Sequence, residues 1–558
     1  MDFVLALHSH LPYVLNHGRW PHGSDWLCEA ALDTYLPLLD KLDELASAGI
    51  PAPVTIGFTP VLANQLADPA FAREMDAFFS LRLAACDEAS KSLPSTGGEA
   101  LLPLVEFWRS RFCRLQARFV AIDRNIAAAF RKLEQDGRLE IIGSAATHGY
   151  LPLLGRDESI RLQLAVGRAE HRRIFGREPV GAWLPECAYR PRGLWSARAG
   201  QSIMRRGIEE HLTDAGFRYF FTDAHTAQAG GALGSYSEIP LGAERFDAER
   251  PDGSLSPSGQ AVRSAHEAYR VSPLRGGKSV AALVRDPNSS MQIWSRHHGY
   301  PGDEWYLEFH KMRWPGGLKF WRVSGSDVDL GAKQPYMPAT AFARAGDHAS
   351  HFAHLLASAS RPPGARKNGG AVVVAPFDTE LYGHWWFEGI EFLGATYRRL
   401  KDQGDVRPVT AGQHLEEHPP RTGLRLAEGS WGANGDHSMW LNDRTAWMWQ
   451  RLWALEDAFW DAAPAALASP ASRPVLAQAA RELLLAQASD WEFIVSTGVV
   501  ADYGVRRFEL HCQDAERLVA ALAPGGSLEG AQRLADELWR RDGVFPDILA
   551  SVAVAMSA

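Results

Sequence analysis

Cysteine is scarce in this chain, and the little there is has no pattern. Five cysteines in 558 residues stand at 28, 86, 113, 187 and 512, without CxxC spacing. An odd, scattered set argues against a disulfide framework and against a zinc ribbon. Long hydrophobic runs are missing too: nothing approaches the roughly 20 apolar residues of a membrane span. The start, MDFVLALHSHLPYV, is apolar but carries Asp2, lacks a basic n-region and is soon interrupted by histidines. It reads as a buried strand rather than a signal peptide, so a cytoplasmic location is expected. There is no long basic block, and the net charge is -8, so nucleic acid is not an expected partner.

What is present is ordinary in proportion and unusual in one residue. A hydrophobic fraction of 46% and a charged fraction of 22% suit a soluble globular protein, and the length allows more than one domain. Nineteen tryptophans stand out. Many fall in loop-like segments beside Gly, Asn, Asp and His, which points to a binding surface as well as to core filling.

Seven short apolar runs end in polar or charged residues: 3–10, 53–60, 139–148, 181–186, 218–225, 279–286 and 371–378. Each is β-rich and nearly all apolar, as strands buried on both faces must be. Helical-period segments such as 159–176 and 208–216 follow most of them. The pattern predicts an α/β fold: a (β/α)7 barrel with an inserted helical subdomain and a C-terminal helical domain. The boundaries read as residues 1–60 and 136–415 for the barrel, 61–135 for the insertion and 416–558 for the C-terminal domain, which closes the cleft. The stretch 226–262 is a long Gly/Ser/Pro-rich segment, and 361–370 is a second flexible one. The Ala/Pro stretch 463–474 reads as a connection within the helical part.

Barrel strand ends converge on one face. This brings together His8 and His10, His148, Glu186, Asp223 and His225, and Asp378. Singly, each has a bland explanation: a histidine satisfied in the core, or a carboxylate capping the next helix. Jointly they admit two chemistries. In glycoside chemistry Glu186 attacks an anomeric carbon and Asp378 moves the proton. In metal-assisted hydrolysis HxH, a later histidine and an aspartate hold a divalent ion, with the TDAH segment (222–225) offering an extra ligand. The aromatic surroundings LPECAY and ELYGHWW favour sugar. A catalytically weak glucan-binding protein is the alternative from another class.

Several segments carry a resemblance. HSHLPY (8–13), WLPECAYRP (183–191), PFDTELYGHWW (376–386) and EGSWGANGDHSMW (428–440) resemble the ordered motifs of glycoside hydrolase family 57. GSAATHGYLPLL (143–154), 285–310 and SDWEFIVSTG (489–498) are similar to its glucan-branching-enzyme subgroup. The resemblance spans nearly the whole chain. It implies a retaining mechanism on α-1,4-glucan, with formation of α-1,6 branches, no metal and no cofactor. Glu186 would be the nucleophile and Asp378 the acid/base. His10 and His148 would line the donor subsite, with His8 a further substrate-binding candidate, and Trp294, Trp431 and Trp440 would guide the glucan. Asp490 and Trp491 would come from the C-terminal domain. The family's covering tyrosine would be Tyr236 in the long segment after the fifth strand, with Tyr269 as the alternative. An α-glucan hydrolase or 4-α-glucanotransferase shares the same scaffold. The expected partner is α-glucan, and the expected state a monomer or weak homo-oligomer.

Overall fold

The structure, a computed structural model, describes residues 1–198, 200, 202–233, 263–273, 277–294, 299–325, 327–359 and 370–557. Seven parallel strands form the centre: β1 (Asp2–Ser9), β2 (Thr55–Phe58), β3 (Glu140–Ser144), β4 (Gly181–Trp183), β5 (Tyr219–Thr222), β6 (Val280–Val284) and β7 (Val372–Asp378). Each pairs with the next in chain order through β6. β7 pairs with β1, in register from Asp2↔Val372 to His8↔Asp378. A parallel bridge between Arg285 and Val374, with the Asp286 N–H donating to the Val374 carbonyl at 2.8 Å, joins the end of β6 to β7. The seven predicted runs are these seven strands. All eight residues of β1 are buried, because one face fills the barrel and the other meets helices. A short strand, Tyr269–Val271, runs antiparallel along β6.

Between β2 and β3 lie helices Pro60–Ala67, Pro69–Ser92, Leu102–Ala121 and Ile126–Gln135. Asp68 and Asn125 cap two of them by accepting from the N–H groups of Ala70 and Ala128. Further helices follow residue 445: Ala446–Ala468, Arg473–Ala486, Asp490–Thr497, Ala501–Leu522, Leu528–Asp542 and Ile548–Met556. The Ala/Pro stretch 463–474, expected as a connection, is mostly helix instead. The first of these helices runs through Pro464, and only 469–472 connects. Alanine is the best helix former, and Ala462, Ala463 and Ala466 are buried, which offsets the hydrogen bond lost at proline. The segment 361–369 lies outside the described residues. Among the described residues no helix is long and apolar enough to cross a membrane, and all five cysteines are unpaired.

The segment after β1 grips the last helices. His17 Nε2 donates to Asp542 Oδ1 at 2.6 Å, Arg507 donates to the Tyr13 carbonyl at 2.6 Å, and His511 Nδ1 bonds Glu482 Oε2 at 2.8 Å. Burial alone would raise the Asp542 carboxyl. The His17 hydrogen bond and the charges of His511, His17 and Arg541 outweigh it and hold the group well below the usual carboxylate range. A depressed carboxylate contributes stability above its unfolded value, and that contribution disappears as pH falls. Removing one partner of a buried charged pair costs about 3–5 kcal/mol. Asp542→Asn should therefore lower unfolding stability by that order at neutral pH, measured by urea denaturation, with the gap to wild type narrowing in acid. A gap that stays constant down to acid pH would count against this role.

Candidate active site

The barrel rim brings the strand-end residues side by side. β4 ends at Trp183, and the chain then turns sharply. Glu186 (φ 60°) and Cys187 (φ 48°) both adopt left-handed backbone, which non-glycine residues rarely take. Such residues cost of order 1–3 kcal/mol each and persist only where the surroundings hold them. Cys187 and Ala188 donate back to the Leu184 and Pro185 carbonyls, and Tyr189 exchanges two backbone bonds with Gly429. The Trp431 N–H donates to the Glu186 carbonyl at 3.0 Å. The same tryptophan donates its indole N–H to Glu186 Oε2 at 2.7 Å.

Imidazoles gather beside this carboxylate. The His8 ring lies flat on Trp183, with centroids 4.7 Å apart and an interplanar angle of 5°. Its Nε2 is 2.9 Å from His148 Nε2, so one ring donates and the other accepts. His148 Nδ1 is 2.9 Å from Ser489 Oγ and 3.7 Å from Glu186 Oε1. Burial, with the charge of His10 second, pushes both His8 and His148 well below the ordinary histidine value, so both are neutral. His10 bridges Thr59 Oγ1 at 2.9 Å and Asp490 Oδ2 at 2.8 Å.

Asp378 ends β7, beside His8 on β1. Its charge reaches Glu186. Burial foremost, then the charges of Asp378 and Asp490, raise Glu186 from 4.5 to about 8, while the Trp431 N–H works the other way. The Trp431 N–H stabilises the charge when Glu186 gives up its proton. After Asp378 the chain must fold back tightly. A Cβ on Gly383 would sit 2.0 Å from the Asp33 carbonyl oxygen, and its φ is +110°, so only glycine fits.

The tryptophans divide. Trp294 is half-buried, 5.6 Å from Trp431 edge to face and 6.3 Å from Phe377. Trp431 and Trp440 are 1% and 0% exposed, and Trp440 stacks on Tyr150 at 4.6 Å. Trp491 is 1% exposed and donates its indole N–H to the Leu485 carbonyl. Trp440 and Trp491 therefore back the rim rather than presenting a ring to solvent. Tyr236, with the rest of 234–262, lies outside the described residues. Tyr269 is built into the strand along β6, its hydroxyl bonded to the Ser264 carbonyl.

Two further groups at the rim do not stand out in the motifs. Glu380 is buried, and its Oε1 accepts from the His10 N–H and the Tyr35 hydroxyl. Burial raises it to about 8, the Tyr35 hydrogen bond opposing the effect and the charge of Asp378 adding to it. Its place two residues after Asp378, in DTE, was the available signal. Arg285, at the end of the sixth run, is the other. Its Nη1 donates to Asp223 Oδ2 at 3.0 Å, and its guanidinium lies 5.5 Å over Trp431. This corrects the expectation for TDAH. Asp223 is engaged by Arg285 and the Ala224 N–H, and His225 Nε2 donates to the Gly435 carbonyl at 2.7 Å, so neither is poised as a metal ligand. Ligand atoms of His10, His148 and Asp490 do come within 4.8 Å of one another. Both nitrogens of each ring, however, already bond to protein groups.

A carboxyl whose folded value exceeds its unfolded one favours folding in acid. For Glu186 that contribution is lost as pH rises from 4.5 to about 8. Trp431→Phe removes the stabilising N–H and should move the Glu186 titration upward. Asp378→Asn removes a repelling charge and should move it downward. Labelling of Glu186 by a carboxyl reagent across pH, read by mass spectrometry, measures both. Movement of the two variants in the same direction would contradict these assignments.

Known proteins are similar to this chain in sequence and fold. Residues 4–427 match the model described as glycosyl hydrolase family 57, and residues 452–552 the one described as 1,4-alpha-glucan branching enzyme, C-terminal. The chain is 38% identical over 554 residues to 1,4-alpha-glucan branching enzyme TK1436 of Thermococcus kodakarensis, covering 98% of this chain and 77% of that one. The crystal structure of the GH57-type branching enzyme of Pyrococcus horikoshii is 38% identical, with a TM-score of 0.88, over 99% of this chain and 96% of that one. The alpha-amylase AmyC of Thermotoga maritima is 27% identical, with a TM-score of 0.78, over 99% of each chain.

Proposed function

The chain belongs to glycosyl hydrolase family 57, and on that premise we propose that it is a 1,4-α-glucan branching enzyme working by double displacement in the cytoplasm. One observation carries the reading. The branching-type C-terminal part is wired into the carboxylate site itself, through Ser489 on His148 and Asp490 on His10.

In the first half-reaction Asp378 gives its proton to the glycosidic oxygen as Glu186 attacks the anomeric carbon. The α-1,4 bond breaks, the leaving chain departs with the proton, and the donor chain is held as an ester on Glu186. In the second, Asp378 takes the proton from the 6-hydroxyl of an acceptor glucose. That oxygen attacks the same carbon, an α-1,6 bond forms and Glu186 is released. Two inversions leave the α configuration. His8, His10, His148 and Asp490 form the polar wall for the donor sugar's hydroxyls. Trp294 offers the accessible ring for stacking, with Trp431, Trp440 and Trp491 in support. The choice between branching and hydrolysis rests on keeping water from the ester while an acceptor arrives. The substrate is α-glucan, and the expected state is a monomer or weak homo-oligomer.

Incubation with amylose should create α-1,6 linkages, visible by proton NMR. New reducing ends without branches would move the reading to an α-glucan hydrolase, and altered chain lengths without branches to a 4-α-glucanotransferase. Glu186→Gln should lose several orders of magnitude in turnover while still binding maltooligosaccharide, because nucleophile and acid/base act as a unit. Unchanged glucan behaviour in that variant would favour the binding-protein alternative. Protein treated with chelator and shown to be metal-free should keep full activity.

A further inference from the structure

Away from the rim, a cavity of about 210 Å³ opens between helix Leu36–Ser47, helix Leu102–Ala121 and helix Gly389–Gln403. Phe342, Phe387 and Ile390 contribute its apolar wall. Most of its charges pair off. Arg114 is bonded to Asp40, and Lys41 Nζ lies 2.6 Å from Glu44 Oε2 and 2.7 Å from Glu391 Oε2. Arg111 is the exception. It makes no hydrogen bond or ion pair with any described residue, and its Nε is sealed from solvent. Its guanidinium sits 4.7 Å over the Phe387 ring. The Asp33 carboxylate acts on it only through space, its own neighbours being Lys319 and His384 at 3.8 Å each.

A guanidinium held against a ring keeps a planar fork of donors in a fixed direction, which suits two oxygens of one anion. Arg114, one helical turn further on, and Lys41 line the same opening but are engaged by Asp40, Glu44 and Glu391, which leaves Arg111 as the cation there with donors to spare. The apolar wall leaves room beside the anion for a small organic group. We propose that this cavity binds a phosphate group, free or carried by a small phosphate monoester, with Arg111 as the principal contact. The ligand would clamp helix Leu102–Ala121 against the two helices that flank the barrel. The inference rests on this cavity alone and stands apart from the catalytic site.

The test uses the full chain in phosphate-free buffer at low ionic strength. Titration with inorganic phosphate, and separately with glucose 1-phosphate, is followed by calorimetry. Saturable binding of one equivalent is expected, and the tighter of the two probes tells free phosphate from a monoester. Arg111→Gln should weaken binding by about tenfold or more, the loss of a charge-assisted bidentate contact, while branching of amylose stays unchanged. A second measurement needs no variant: phosphate should slow modification of Arg111 by an arginine-directed reagent, read by mass spectrometry, without protecting exposed Arg506. Unsaturable heats, equal binding by Arg111→Gln, or no protection of Arg111 would overturn the proposal.

Discussion

Trp431 holds Glu186 twice, once through the backbone and once through the side chain. Much of the rim depends on this. The turn that presents Glu186 contains two left-handed residues and would relax without an external strap. The strap is the segment around Gly429 to Trp431, from far down the chain. The indole N–H also stabilises the carboxylate, and a hydrogen bond to a charged group contributes roughly 1.5–3 kcal/mol. Trp431 is in turn held from behind by Arg285, whose charge is balanced by Asp223. An ion pair buried in the barrel thus fixes a ring, and the ring fixes the carboxylate.

Burial acts on the histidines in the same way. Burial pushes the His8 and His148 imidazoles well below the ordinary histidine value, so both lose their protons. They then serve as directional hydrogen-bonding groups and leave Glu186 without a neighbouring cation. With burial foremost and the charge of Asp378 adding to it, Glu186 keeps its proton at a pH where exposed carboxyls have lost theirs. The C-terminal helices complete this wall by contributing Ser489 and Asp490, and the grip of the His17 segment on Asp542 sets where those helices lie.

Much of the architecture was legible in the residues. Seven β-rich apolar runs can be buried on both faces only in a covered parallel sheet, and the barrel follows. Glu186 and Asp378 were visible because a carboxylate at the end of such a run needs a reason to be there. The tryptophans were legible as a group but not singly. Nothing in EGSWGANGDHSMW says that Trp431 turns its N–H to Glu186 while Trp440 packs on Tyr150. Asp223 looked available because Arg285, which occupies it, lies 62 residues away. Pro464 suggested a break, but burial of its alanine neighbours kept the helix whole.

Strand number, the two carboxylates and the order of the motifs are therefore properties of local pattern. They follow from hydrophobic period and from which residues a strand end can carry. Which groups hold their charge, which rings can be reached and why Arg111 stands without a partner are properties of the folded chain. They depend on burial and on neighbours hundreds of residues apart, Arg111 lacking an ion-pair or hydrogen-bond partner only among the described residues, and no local stretch encodes either.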